Sequence, residues 1–118
     1  MYDHIGLKVK DIEASARFYK AALSALGLTQ CSREERAASF GPEGEPGLYL
    51  SAGTAAPAMH VAFKAPDRAA VDRFYREGLK AGGRDNGGPG VRADYSPSYY
   101  AAFLLDPDGN NVEAVCLR

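Results

Sequence analysis

The chain has 118 residues, 46% hydrophobic, 25% charged and 10% aromatic, a length that fits one domain able to bury its own core without staples. Fourteen Lys and Arg against fifteen Asp and Glu leave a net charge of -1, which excludes the basic footprint of a nucleic-acid binder. No apolar run reaches the ~20 residues of a membrane span, and the opening residues carry charges where a secretory signal needs an apolar stretch, so a cytoplasmic protein is expected.

Residues 2–9 alternate, with Ile5, Leu7 and Val9 on one face and His4, Gly6 and Lys8 on the other, which predicts a strand. Asp11 is a fitting N-cap, and Glu13 stands in the first turn, where the helix dipole favours a carboxylate. Ile12, Ala16, Tyr19, Leu23 and Leu26 then recur at helical spacing as far as Gly27. Short strands are predicted over 28–34, 37–41 and 47–52, the last two parted by a Gly/Pro-rich turn. The order then begins again, with a strand over 58–65 and a helix over 67–82 that opens at Asp67. Residues 82–98 hold five Gly and two Pro and read as a loop around at most one short strand. Strands over 99–105 and 111–117 close the chain, joined by the turn Asp106-Pro107-Asp108-Gly109. Cys31 and Cys116 are too few and too far apart for a disulfide framework and read as half-buried thiols.

That second beginning is a true repeat. With a shift of 56 residues, ten of the 24 positions from His4 to Gly27 are identical to those from His60 to Gly83, among them Asp11/Asp67 and Arg17-Phe18-Tyr19/Arg73-Phe74-Tyr75. The chain therefore reads as a single domain over 1–118 built from two repeats, 1–53 and 58–118. The expected fold is α+β: two paired β-α-β-β-β modules forming a cleft-shaped mixed sheet, with the helices on its outer face.

The two histidines of the chain, His4 and His60, occupy equivalent positions in the repeats. Matching the turn Pro42-Glu43-Gly44 with Pro107-Asp108-Gly109 sets Tyr49 opposite Glu113, the one acid in an otherwise apolar strand. A carboxylate there is costly unless it is paired or bound to a metal. Singly, either histidine is an ordinary polar residue on a solvated strand. Two imidazoles and a carboxylate at repeat-related positions instead predict a metal site of His4, His60 and Glu113, suited to Fe, Mn, Ni or Zn, with coordination positions left for substrate. Arg92, Tyr95, Tyr99 and Tyr100 cluster beside the Gly-rich loop and are candidates to bind a substrate ring or an anionic group.

The opening Asp3-His4-Ile5-Gly6-Leu7-Lys8-Val9, the second histidine in Met59-His60-Val61-Ala62-Phe63, and the ending Leu104 to Val115 (LLDPDGNNVEAV) resemble the vicinal oxygen chelate superfamily. This is the group of glyoxalase I, extradiol dioxygenases, fosfomycin-resistance thiol transferases and bleomycin-binding proteins. The resemblance spans nearly the whole chain. It implies a homodimer and an enzyme in which His4, His60 and Glu113 hold a divalent metal. The metal would act as a Lewis acid on two neighbouring oxygens of a small-molecule substrate, in a lyase or isomerase, thiol transferase or dioxygenase reaction. Glyoxalase I has a further glutamate ligand where this chain has Tyr49, and tyrosine, which titrates near pH ~10, is a poor base. The resemblance therefore implies that Tyr49 donates a hydrogen bond near the metal and argues against glyoxalase I isomerisation. The alternative it leaves open is a metal-free protein that binds a drug or other small molecule.

Overall fold

Asp11 and Asp67 start the two helices in the same way. Each carboxylate accepts a hydrogen bond from the backbone N–H three residues on, that of Ala14 at 3.1 Å and that of Ala70 at 2.8 Å, satisfying a donor that a helix start leaves open. In the computed structural model, which describes residues 1–55 and 57–118, α1 runs over Ile12–Ser24 and α2 over Arg68–Lys80. The first helix is preceded by β1 (Ile5–Val9) and followed by β2 (Thr29–Glu34), β3 (Ala37–Gly41) and β4 (Leu48–Ala52). The second is preceded by β5 (His60–Lys64) and followed by β6 (Arg84–Asp85), β7 (Gly90–Val91), β8 (Tyr100–Leu105) and β9 (Asn111–Cys116). The architecture is α+β, as the sequence pattern predicts.

The strands form two mixed sheets, ordered β1-β4-β3-β2 and β5-β9-β8-β6, with β7 also on β8. In each sheet the strand before the helix lies parallel to the last strand of its half, β1 beside β4 and β5 beside β9, and the other pairs are antiparallel. The registers repeat as the sequence does. Gly6 pairs with Tyr49, and Ala62, 56 positions after Gly6, pairs with Glu113. Both β1 and β5 lie at sheet edges.

Each helix covers one face of its own sheet, α1 on β3 and β4, α2 on β8 and β9, and the two helices also pack on each other. Phe18 and Ala22 of α1 meet α2 at Gly78, so the buried apolar residues of both halves form one continuous core. The face of each sheet away from its helix is left for polar groups.

The Asp106–Gly109 turn ties the halves together. Asp106 is fully buried. It accepts from the Tyr19 hydroxyl on α1 at 2.5 Å, from the Asp108 and Asn110 backbone N–H groups, and from the Asn110 side chain. Burial first, then the Asp106 charge, holds the Tyr19 phenol far above its ordinary range. Asp108 in turn accepts from the Lys10 N–H at 3.1 Å.

Several local expectations shift. The first strand begins at Ile5, not at residue 2, because Met1 and Tyr2 stand exposed beyond the register with β4. Residues 82–98 carry two very short strands, where one at most is expected. Both form by bonding to β8, a pairing that local composition does not encode. Leu26 falls after the end of α1 yet is buried. Cys116 is fully buried, and Cys31 is half-buried.

Two substitutions test this account. Tyr19→Phe removes one of four donors to Asp106 and is expected to lower the unfolding free energy by about 1–2 kcal/mol, read as a shift in the urea midpoint without a change in slope. Gly78→Ala gains about 1 kcal/mol of helix propensity. It is nonetheless expected to destabilise, because its Cβ would overlap Leu104 Cδ1 in the core.

Candidate functional site

On the helix-free face of the second sheet, β5 supplies His60 and β9 supplies Glu113, with His60 Nε2 3.1 Å from Glu113 Oε1. The other atoms of both side chains are already committed. His60 Nδ1 lies 3.1 Å from the Asn111 carbonyl oxygen, and because a carbonyl only accepts, Nδ1 carries the hydrogen. The Tyr99 hydroxyl donates to Glu113 Oε2. A neutral His60 thus aims the Nε2 lone pair at a carboxylate oxygen. Two acceptors this close require a positive partner, either a second proton on the imidazole or a cation. Glu113 is only 2% exposed, so its carboxylate has little access to water, while the His60 side chain stays half exposed.

The hydrogen bond to Glu113, then burial, then the charges of Glu113 and Tyr95, pushes the Tyr99 phenol up to about 12. Tyr95 packs edge-on against the Tyr99 ring, with centroids 4.9 Å apart. Phe103, opposite Glu113 in the β8–β9 register, stacks on His60 with centroids 6.4 Å apart. The Arg92 guanidinium sits over the Phe103 ring, 5.3 Å from its centroid. Backbone bonds close the intervening loop, from Arg92 N to Tyr99 O and from Tyr95 N to Arg92 O. Tyr100 points the other way: its hydroxyl donates to Asp72 on α2, and Arg68 covers its ring. Of the four residues singled out at this loop, three lie on the Glu113 face and Tyr100 on the helix face.

His4 and Tyr49 form a separate pair on the first sheet, ring edge to ring face, with centroids 5.3 Å apart. His4 Nδ1 is held by Asp3 Oδ1 at 2.7 Å, which again leaves Nε2 as the free nitrogen. Among the described residues, no three His, Cys, Asp or Glu side chains converge on one point. Within one chain the structure therefore brings His60 to Glu113 and leaves His4 apart, because the helices pack together and each polar face lies on the far side of its own sheet. An apolar crevice of about 220 Å³ between Leu23, Phe40, Leu48 and Val61 contains none of these residues and no charged group to orient a substrate.

A family model described as the Glyoxalase/Bleomycin resistance protein/Dioxygenase superfamily matches residues 2–114. The chain belongs to this superfamily. The fold is similar to a glyoxalase/bleomycin resistance protein from Albidiferax ferrireducens, at 27% identity and TM-score 0.81 over 98% of both chains. It is also similar to a glyoxalase/bleomycin resistance protein/dioxygenase family enzyme from Burkholderia phytofirmans, at 18% identity and TM-score 0.73 over 98% of both. A variant of glyoxalase I from Zea mays aligns at 21% identity and TM-score 0.68, over 97% of this chain and 43% of that one. Comparison with curated proteins gave no match. No helix among the described residues is long and apolar enough to cross a membrane.

The sequence alone does not link Phe103 with Arg92 and His60, nor the glycines at 87 and 90 with the Arg92 side chain. Phe103 was detectable, since it shares the strand face of Tyr99 by simple alternation. The glycines were not, because their role depends on where the Arg92 side chain returns.

The Tyr99–Glu113 bond has a pH signature. Tyr99 ionises near 12 in the folded chain against 10.0 ordinarily, so its stabilising contribution is complete below pH ~10 and is lost as pH rises through about 12. Glu113→Gln is expected to bring the Tyr99 midpoint back toward ~10, followed through its ring resonances. An unchanged midpoint would contradict the assigned cause.

Proposed function

We propose that the chain is a divalent-metal-dependent enzyme that chelates two neighbouring oxygens of a small substrate, and that each metal site is completed by His4 from a second copy of the chain. The observation that carries this reading is the convergence of His60 Nε2 and Glu113 Oε1 at 3.1 Å with their other atoms already bonded. Two ligand atoms ~2.1 Å from one cation and at a right angle to each other stand ~3.0 Å apart. The same commitment of Nδ1 to an oxygen in both histidines leaves two Nε2 atoms as ligands, the arrangement in which a bonded second nitrogen orients a metal-binding imidazole. Members of the superfamily bind small molecules, often dimerise and often use divalent metals, and the donor set here fits such an ion.

When bound, the cation would supply Lewis acidity to the substrate oxygens and stabilise the negative charge that develops on them. The chain's own residues do the rest. Tyr99 holds the second oxygen of Glu113 and so fixes the carboxylate plane. Phe103 stacks beside His60 and helps to orient its ring. Tyr49 occupies in the first half the register place of Glu113 and presents a phenol beside His4, a hydrogen-bond donor to substrate where a carboxylate would serve as base. Isomerisation of a hemithioacetal, which needs that base, is accordingly not the activity proposed.

The test is complementation. His4→Ala and Glu113→Gln are each expected to lose Mn²⁺ affinity by at least 100-fold, on the order of a lost ligand, and Tyr99→Phe by about 10–100-fold as a lost supporting bond. Mixing equal amounts of the His4→Ala and Glu113→Gln proteins, with subunit exchange, should restore about a quarter of the wild-type sites, since random exchange makes about half of the dimers mixed. Each mixed dimer then contains one site with both ligands intact. Failure to restore binding in proven mixed dimers would contradict a site shared between copies. Wild-type protein that binds no divalent metal would instead favour the metal-free binding protein.

A further inference from the structure

The polar face of the second sheet carries a cation that no carboxylate neutralises. Among the described residues, Arg92 forms no ion pair. Its guanidinium is nevertheless held firmly: Nη1 donates to the Gly90 carbonyl at 3.0 Å, Nη2 donates to the Gly88 carbonyl at 2.7 Å, and Cζ lies over the Phe103 ring. Two neutral acceptors and a ring face leave the full charge and three of the five N–H donors unused.

The surrounding backbone is shaped to this side chain. A Cβ at Gly87 or at Gly90 would stand 3.2 Å from Arg92 Nη2 or Nη1 respectively, so glycine lets the loop close on the guanidinium. At Gly87 the backbone is also left-handed, with φ +137°, which disfavours any other residue. Phe103 meets both Arg92 and His60. Across the sheet the order is Arg92, then Phe103 on β8, Glu113 on β9 and His60 on β5.

We propose that Arg92 anchors a carboxylate of the substrate, so that the substrate class is small carboxylic acids whose neighbouring oxygens lie across Phe103 from the anchor, toward the His60–Glu113 pair. The substrate class rests on the metal-dependent reading above; the carboxylate site itself does not need a metal. A carboxylate is the favoured anion because a guanidinium held by two backbone carbonyls presents its remaining donors in one plane, which a planar carboxylate matches with two parallel hydrogen bonds.

The experiment uses the native protein, first stripped of metal with a chelator and then loaded with Mn²⁺. The probes are pyruvate, neutral hydroxyacetone, which keeps two neighbouring oxygens without the charge and does not modify arginine, and inorganic phosphate. In the metal-free protein, pyruvate is expected to shift the Arg92 Nε–H resonance saturably, whereas hydroxyacetone leaves it in place. Arg92→Gln should weaken pyruvate binding at least tenfold, with or without Mn²⁺, and leave hydroxyacetone binding unchanged. Arg92→Lys, which keeps the charge but not the fork, should fall between. Because the resonance shift is read in the unmodified protein, a variant that folds poorly does not decide the matter. An Arg92 resonance that pyruvate does not move, equal binding by wild type and a folded Arg92→Gln, or phosphate binding tighter than pyruvate would overturn the proposal. A pyruvate shift that persists while Mn²⁺ fails to bind would sink the metal reading alone.

Discussion

A carboxylate set into the middle of a sheet must be satisfied before its neighbours can settle, and Glu113 is that group here. One oxygen takes the Tyr99 hydroxyl and the other faces His60 Nε2. The first bond positions Tyr99, Tyr99 accepts the Arg92 backbone N–H, and so the loop that carries Arg92 is anchored to the same carboxylate. Arg92 returns over Phe103, and Phe103 stacks on His60, closing the ring of contacts. Leaving Glu113 buried without these partners would cost several kcal/mol. The arrangement around it is therefore one connected unit.

The two halves share registers but fill them differently. Where the second half has Glu113 and Phe103 side by side, the first has Tyr49 and Ser39. Ser39 is buried and pairs with Ser32 at 2.6 Å, so that face offers a small polar floor beneath Tyr49 and His4. One half thus holds the anionic ligand and the other a second imidazole with a neutral donor. The packing of Phe18 and Ala22 against α2 at Gly78 places both helices between their sheets' apolar faces. That packing, with both edge strands β1 and β5 unpaired on one side, is why a second copy completes the site in the function proposed above.

Much of the fold was legible because its signals are local. An Asp before a helical run, alternation in a strand and the Asp-Pro-Asp-Gly turn each act over a few residues. The equivalence of the Tyr49 and Glu113 positions was legible too, through the internal repeat. What was not legible depends on contacts between distant residues. The ending LLDPDGNNVEAV reads as a family motif, yet its Asp106 serves to dock the turn onto Tyr19, 87 positions earlier. Tyr99 and Tyr100 look interchangeable in the sequence, and strand alternation sends one to Glu113 and the other to Asp72. The separation of His4 from His60 follows from how the helices meet, which no short-range pattern records.

The most direct test of the central claim, that His60 and Glu113 form the core of a metal site shared between copies, is an anomalous diffraction map of the protein crystallised with Mn²⁺. The account predicts one anomalous peak per chain, bonded to His60 Nε2 and Glu113 Oε1 of one copy and to His4 Nε2 of another at ~2.1–2.2 Å. A map with no peak at that pair, where His60 and Glu113 share only a proton, would contradict it.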